Sequence, residues 1–188
     1  PFLNDHRIGD AGFFDLLLHV HDRPFWADEI CGALASCDLT LASFIEPIRY
    51  DPSEYVPENY RPQIDKLPPE QKYRLAEELS GSMKTHVFYA RARPNPGTTE
   101  HCGCDLSLTP QPMGVDFGST FAEKDDGRNF TVTLDGNQYS RHFSNASLAC
   151  LQRIDGSKTL GEIAEEIDPA LWKSTIEPDL DFLVRCGC

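Results

Sequence analysis

Four polar residues near the amino-terminal end carry side chains that are suited to acid–base chemistry. They are His19, His21, Asp22 and Arg23. Because an unperturbed imidazole titrates near neutrality, either histidine can take a proton from an amine or a hydroxyl group. Asp22 can orient an imidazole, and the Arg23 guanidinium can hold a carboxylate or phosphate by two hydrogen bonds. We name these four residues the polar cluster, and it is the candidate catalytic site.

A structural role for the polar cluster stays open beside the catalytic one. In that interpretation Asp22 and Arg23 form an ion pair that fixes a turn, while His19 packs against a helix. Pro24 favours a turn under either interpretation, because it lacks an N–H group and disfavours helical backbone at the residue before it. The polar cluster is therefore expected at the mouth of the next element.

The stretch around the polar cluster, residues 10–50, predicts a helix, a polar turn, a second helix and a strand. Asp10 is the expected N-cap of the first helix. One face of that amphipathic helix, at helical spacing, carries Phe14, Leu17, Leu18 and His21. The second helix begins near Asp28, and its inner face consists of Ile30, Ala33, Leu34 and Cys37. An apolar strand over residues 39–46 follows.

A second strand is expected after a proline-rich connection. The prolines at positions 52, 57, 62, 68 and 69 exclude a continuous helix or a central strand there. Pro69 fits the first position of a helix, and Gly81 fits the position just after its end. Residues 86–92 are rich in aromatic and β-branched side chains and predict a strand beside strand 39–46 in one sheet. In this interpretation His86 is a strand residue and His101 a loop residue, neither with a chemical role.

Residues 94–128 have the composition of a linker. They contain several prolines and glycines and the acidic run 123–126, with little periodic apolar pattern. We place the domain boundary here. The first domain then spans residues 1–93, and an accessory domain spans residues 129–188.

The accessory domain is predicted to be a β-hairpin followed by three short helices. Its hairpin turns at Asp135 and Gly136, and Ser144 or Asn145 caps the first helix. This order of elements is typical of a winged-helix-like fold. The inner stripe of the last helix consists of Leu171, Ile176, Leu180 and Leu183.

The charge of the second helix of the accessory domain indicates which kind of partner the domain binds. Thr159 and Glu162 form a capping box at its start. The helix and its end are acidic where a DNA recognition helix needs Lys, Arg or Asn, at Glu162, Glu165, Glu166 and Asp168. A protein or peptide is therefore the expected partner.

Composition and charge limit the partners and the cellular location that we expect for this protein. The chain has 188 residues, of which 40% are hydrophobic, and a formal net charge of −13. That charge disfavours binding to nucleic-acid phosphates or anionic lipid. The apolar runs fall short of the ~20 residues that span a bilayer, and no leader opens the chain, so we expect a cytoplasmic protein. The chain starts at Pro1 and ends at Cys188, and both ends look cut.

The seven cysteines admit a metal site as a weaker hypothesis. An odd count in a chain of this size is poor evidence for a disulfide framework, and free thiols are the plain interpretation. Two Cys-x-Cys pairs can together supply four zinc ligands, although structural sites usually have wider spacing. Those residues are Cys102, Cys104, Cys186 and Cys188.

Three segments resemble known families. The segment FWADEICGALASCDLTLASFIEP resembles the penultimate helix and sixth strand of class I S-adenosylmethionine-dependent methyltransferases, with Asp38 in place of a usual glycine. MKTHVFYARAR is similar to their antiparallel seventh strand, and DLLLHVHDRPFWADEI resembles a turn of bacterial members. RIDGSKTLGEIAEEI is similar to PqqD-like winged-helix modules, which hold peptides or partner proteins.

The resemblance implies an α/β fold, the C-terminal part of a Rossmann-like methyltransferase sheet, followed by a small α+β winged-helix-like domain. It also implies a role for S-adenosylmethionine in the full-length protein. However, the chain lacks the glycine-rich turn that this cofactor needs after a first strand. We therefore expect this chain to be the substrate side of a larger enzyme. This chain by itself should not bind the cofactor.

Two functions from different classes stay open. A substrate-binding and accessory region of a methyltransferase predicts that residues 24–46 and 86–92 form the edge of an incomplete sheet with an exposed apolar side. A non-catalytic interaction or regulatory module with a peptide-binding tail predicts instead a closed core with no missing neighbours.

Overall fold

A computed structural model describes residues 23–93, 105–111 and 129–187 as a mixed α/β protein. Within these ranges the strands form two separate antiparallel sheets of two strands each. The predicted helix over residues 10–21 lies outside the described residues, as do three members of the polar cluster, His19, His21 and Asp22.

The first sheet follows a helix, as predicted. Helix α1 spans Ala27–Ser36, and the Glu29 carboxylate at its start accepts a hydrogen bond from the Trp26 N–H at 3.0 Å. Strand β1 spans Leu39–Phe44, and strand β2 spans Phe88–Ala92. Because β1 and β2 pair antiparallel, the expectation that these two segments are neighbours in one sheet is confirmed.

Between β1 and β2 the prolines break the chain into short pieces. Single 3₁₀ turns and two helices fill this connection: Pro47–Tyr50, Pro52–Glu54, Glu58–Tyr60, α2 over Arg61–Ile64 and α3 over Pro69–Ser80. Gly81 ends α3 with a φ of 59°, a conformation that favours glycine because it has no Cβ. The predicted start at Pro69 and end at Gly81 are both confirmed.

The described part of the predicted accessory domain, residues 129–187, is named the accessory segment, and it begins with the predicted hairpin. Strands β3, Asn129–Leu134, and β4, Asn137–His142, pair antiparallel around Asp135 and Gly136. Both turn residues have positive φ, 47° and 87°, as a tight hairpin turn requires.

Short helices follow the hairpin. They are α4 over Asn145–Leu151, α5 over Leu160–Glu165, α6 over Pro169–Leu171, a π-helical turn over Trp172–Ile176, and α7 over Glu177–Arg185. The predicted caps are present: the Ser144 hydroxyl accepts from the Ser147 N–H, and Thr159 and Glu162 bond reciprocally. Leu171, expected on the inner stripe, is instead 39% exposed and lies in the separate short helix α6.

The main apolar core lies among these elements. Its fully or nearly fully buried members include Phe143, Cys150, Leu151, Ile163, Ile176 and Leu183. Ile48, which precedes the predicted domain boundary, is also fully buried in this core. A residue of the first half of the chain, by which we mean residues 23–93, therefore forms part of the core of the accessory segment.

Polar contacts also join the first half of the chain to the accessory segment. The Arg185 guanidinium lies 2.7 Å from the Asp51 carboxylate and 2.9 Å from that of Glu54. The hydroxyl oxygens of Tyr55 and Tyr139 are 2.5 Å apart. Burial and the contact with Tyr139 raise the pKa of Tyr55.

Part of the predicted linker packs on the accessory segment. The Leu160 N–H donates to the Leu108 carbonyl at 2.9 Å, and the Gly161 N–H donates to the Leu106 carbonyl at 2.7 Å. A Cβ at position 161 would lie 2.9 Å from that same Leu106 carbonyl oxygen. This close approach explains why glycine stands near the start of α5.

Candidate functional site

Of the polar cluster, the structure describes only Arg23. Its guanidinium lies 3.1 Å from the Glu29 carboxylate and 4.5 Å from the centre of the Phe25 ring. The Arg23 side chain is 61% exposed. The proposed pairing of Arg23 with Asp22 lies outside the described residues, whereas its contact with Glu29 holds it at the start of α1.

Directly after Arg23 the chain lines a cavity of about 580 Å³, which we name the α1 cavity. It lies between α1 and the extended segment that leads into β2. Its apolar lining includes Pro24, Phe25, Ile30, Ala33, Leu34, Cys37, Leu39, Met83 and Phe88. A volume of this size is in the range of small-molecule sites.

The predicted inner face of α1 borders the α1 cavity. All four of its residues, Ile30, Ala33, Leu34 and Cys37, line the open α1 cavity, and none of them is buried. The only buried residue of α1 is Ala27. The spacing therefore identified the correct face, but this face borders an open space and not a packed core.

A second cavity of about 380 Å³ lies beside the first and shares Pro24, Phe25, Glu77 and Met83 with it. Trp26 borders this second cavity, and the Arg74 guanidinium stacks on the Trp26 ring at 3.6 Å from its centre. One face of that indole is therefore already occupied by a cation.

A buried hydrogen-bonded chain forms one wall of the α1 cavity. Glu77 Oε1 lies 3.2 Å from His86 Nε2, and His86 Nδ1 lies 2.9 Å from the Tyr50 hydroxyl. Glu77 Oε2 accepts from the Ala27 N–H at 2.8 Å. Burial raises the pKa of Tyr50 to about 12, so its hydroxyl stays protonated at neutral pH.

The His86 ring links the other two members of this chain. Its Nε2 lies against the Glu77 carboxylate, and its Nδ1 shares a hydrogen bond with the Tyr50 hydroxyl. Both ring nitrogens are thus engaged, which favours a structural role over that of a free base. Sequence reasoning missed this chain because its three members lie far apart in the sequence and no local motif links them.

Glu77→Ala is expected to lower the free energy of unfolding by about 1 to 3 kcal/mol, since it leaves the buried Ala27 N–H and the His86 Nε2–H without an acceptor. Chemical denaturation followed by circular dichroism measures the change. Glu78→Ala is the matched control, because Glu78 is the next residue of α3 and its side chain is 51% exposed. Equal loss of stability in both variants would show that the buried chain contributes nothing of its own.

The accessory segment contains a second buried polar network. The Asp179 carboxylate, on α7, is 4% exposed and lies 2.6 Å from both Arg141 Nε and the Ser147 hydroxyl. These bonds tie the hairpin and α4 to α7. All of the Asp179 partners come from neighbouring elements of the same core, so the network is structural.

Two acidic residues at the ends of α5 have local partners. Glu166 contacts Lys158 at 2.7 Å and Arg153 at 3.3 Å, and the Lys158 ammonium lowers the pKa of Glu166. Glu162 caps the helix by accepting from the Thr159 N–H.

The proposed zinc ligands are mostly beyond the described residues. Cys102, Cys104 and Cys188 lie outside them, and Cys186 is 4% exposed in the main core. Among residues 23–93, 105–111 and 129–187, no three potential ligands are close enough to hold a metal ion.

Comparison with models of known protein families finds none that matches this chain. In the part of the chain that the structure describes, no helix is both long enough and apolar enough to cross a bilayer.

Proposed function

We propose that this chain is the substrate-side and accessory C-terminal region of an S-adenosylmethionine-dependent methyltransferase. In this proposal the sheet of β1 and β2 is one edge of a larger Rossmann-like sheet, and the accessory segment is a winged-helix-like domain. The observation that carries the proposal is the open apolar side of the first half. An incomplete sheet edge was expected to have such a side, whereas a closed interaction module was not.

Exposed apolar side chains support an incomplete edge. A sheet of only two strands is marginally stable by itself, and within the described ranges β2 pairs only with β1. Large apolar side chains near this edge are exposed: Phe25 by 47%, Trp26 by 40%, Val87 by 50% and Tyr89 by 64%. Such side chains are expected on a face that another part of a protein covers.

The polar cluster would then act at the mouth of the α1 cavity. Arg23 directly precedes Pro24, which lines that cavity. In the proposed reaction His19 or His21 removes a proton from an amine or hydroxyl acceptor, Asp22 orients the imidazole, and Arg23 holds an anionic group of the acceptor. S-adenosylmethionine, bound by the upstream part of the enzyme, supplies the methyl group.

Calorimetry with S-adenosylmethionine tests the proposal. We expect no binding to this chain of 188 residues and binding to the same chain extended upstream in its reading frame. Methyl transfer by the extended chain should then fall when His19 and His21 are replaced by alanine, while binding of the cofactor is kept. Absence of binding by both chains would overturn the enzyme proposal.

One observation favours the alternative, a non-catalytic module with a peptide-binding tail. The start of α5 holds a turn of the same chain, residues 106–108, through two backbone hydrogen bonds, to the carbonyls of Leu106 and Leu108. The side chains of these two leucines are 47% and 52% exposed, so the segment is held mainly by its backbone. The start of α5 thus holds another piece of chain through backbone groups, which is a contact that a peptide-binding module can also make with a partner.

A further inference from the structure

We propose that the α1 cavity binds an apolar carboxylic acid, with the carboxylate on the Lys84 ammonium and the apolar body against Ile30, Leu34 and Phe88. This ligand site goes beyond the methyltransferase proposal and does not depend on it. The apolar body follows from the lining, because nine of the thirteen lining residues are Pro, Phe, Ile, Ala, Leu, Cys or Met. A ligand that buries its apolar surface there gains free energy in proportion to the area removed from water.

The charge of the ligand follows from which polar groups at the cavity are still available. Glu77 accepts from the Ala27 N–H and lies against His86, and both nitrogens of His86 are engaged. The Glu77 carboxylate has no donor and both ring nitrogens of His86 are engaged, so neither residue offers a donor to a ligand. The remaining polar lining residues are Thr85 and Lys84.

Lys84 is the one Lys or Arg in the described lining of the α1 cavity, and its ammonium makes no ion pair with the described residues. The backbone N–H of Lys84, and not its ammonium, contacts a carboxylate, that of Asp135 at 3.4 Å. That carboxylate is already paired with the Arg49 guanidinium. A lysine without an ion-pair partner in the lining of an apolar cavity favours an anion with an apolar body over a neutral ligand.

Cys37 reports on this site directly, because its thiol is exposed and lines the α1 cavity. Dodecanoate below its micelle concentration is the probe, and the measured quantity is the rate at which iodoacetamide alkylates Cys37, followed by peptide mass spectrometry. We expect dodecanoate to slow alkylation of Cys37 and dodecanol to need about fivefold higher concentration for the same protection. Cys31, on the same helix but outside the lining, is the internal control and should be unaffected.

Two substitutions of Lys84 test whether the preference for dodecanoate over dodecanol depends on the ammonium group. Lys84→Gln should remove the preference for dodecanoate, and Lys84→Arg should keep it; both should fold, since Lys84 is exposed. Lys66→Gln removes an exposed lysine outside the lining and should change nothing. Equal protection by dodecanoate and dodecanol, the same preference in Lys84→Gln, or no protection at all would each overturn the inference. Protection without binding of S-adenosylmethionine by any form of the chain would keep this site and sink the enzyme proposal alone.

Discussion

Replacing Ile48 with alanine is expected to lower the free energy of unfolding by about 2 to 5 kcal/mol. The side chain is fully buried in the main core, where the other members come from the accessory segment. Removal of its methyl and methylene groups leaves a cavity that the surrounding side chains fill only in part. Urea denaturation measures the change, with the fluorescence of the buried Trp172 reporting on the accessory core.

Ile45→Ala is the matched control for that variant. Ile45 has the same side chain three positions earlier, but it is 39% exposed, so its truncation should cost far less. An Ile48→Ala protein as stable as the Ile45→Ala protein would contradict the assignment of Ile48 to this core. Separate unfolding of residues 129–187, unaffected by Ile48→Ala, would contradict it too.

Arg49→Ala is the second substitution with a large expected effect, about 2 to 3 kcal/mol of lost stability. The Arg49 side chain is 9% exposed and pairs with Glu46 at 2.6 Å and with Asp135 in the hairpin turn. Its loss leaves two partly buried carboxylates without their cation. The cost stays below that of a fully buried pair, because each carboxylate retains contact with water, at 29% and 28% exposure.

Thermal denaturation at low and high salt measures this effect. Arg153→Ala is the control, since Arg153 pairs with Glu166 on the surface, where both side chains are 47% exposed. We expect its melting temperature to stay near that of the unsubstituted chain. If Arg49→Ala melts at the same temperature as Arg153→Ala, the Arg49 contacts do not join the two halves.

These contacts place the accessory segment beside the α1 cavity. The Asn137 amide donates to the Ser82 hydroxyl at 2.8 Å, and the Lys84 N–H lies 3.4 Å from the Asp135 carboxylate. The hairpin turn thus touches the segment 82–84, which leads along the cavity wall.

Local signals in the sequence were sufficient for the boundaries of several elements. Asp135 and Gly136 specified a tight turn, Thr159 and Glu162 specified a helix start, and Gly81 specified a helix end. Each of these signals acts within a few residues, through a backbone conformation or a side-chain bond to a nearby N–H group. They require no knowledge of the rest of the fold.

Contacts between distant residues were not predictable in this way. Ile48 lies in a proline-rich connection, and nothing near it indicates that it completes the accessory core. Glu77, His86 and Tyr50 join only because α3 packs beside the chain before β2. Spacing alone also assigns the face of α1 without showing whether a neighbour covers it.

Hydrogen exchange at β2 tests the central claim, that the first half of this chain is the edge of a larger sheet. The quantity to compare is the exchange rate of the Phe88–Ala92 amides in this chain and in the chain extended upstream. If an upstream strand pairs with β2, those amides that do not bond to β1 should exchange much more slowly in the extended chain. Identical exchange rates in both chains would contradict the claim and leave the peptide-binding module as the better account.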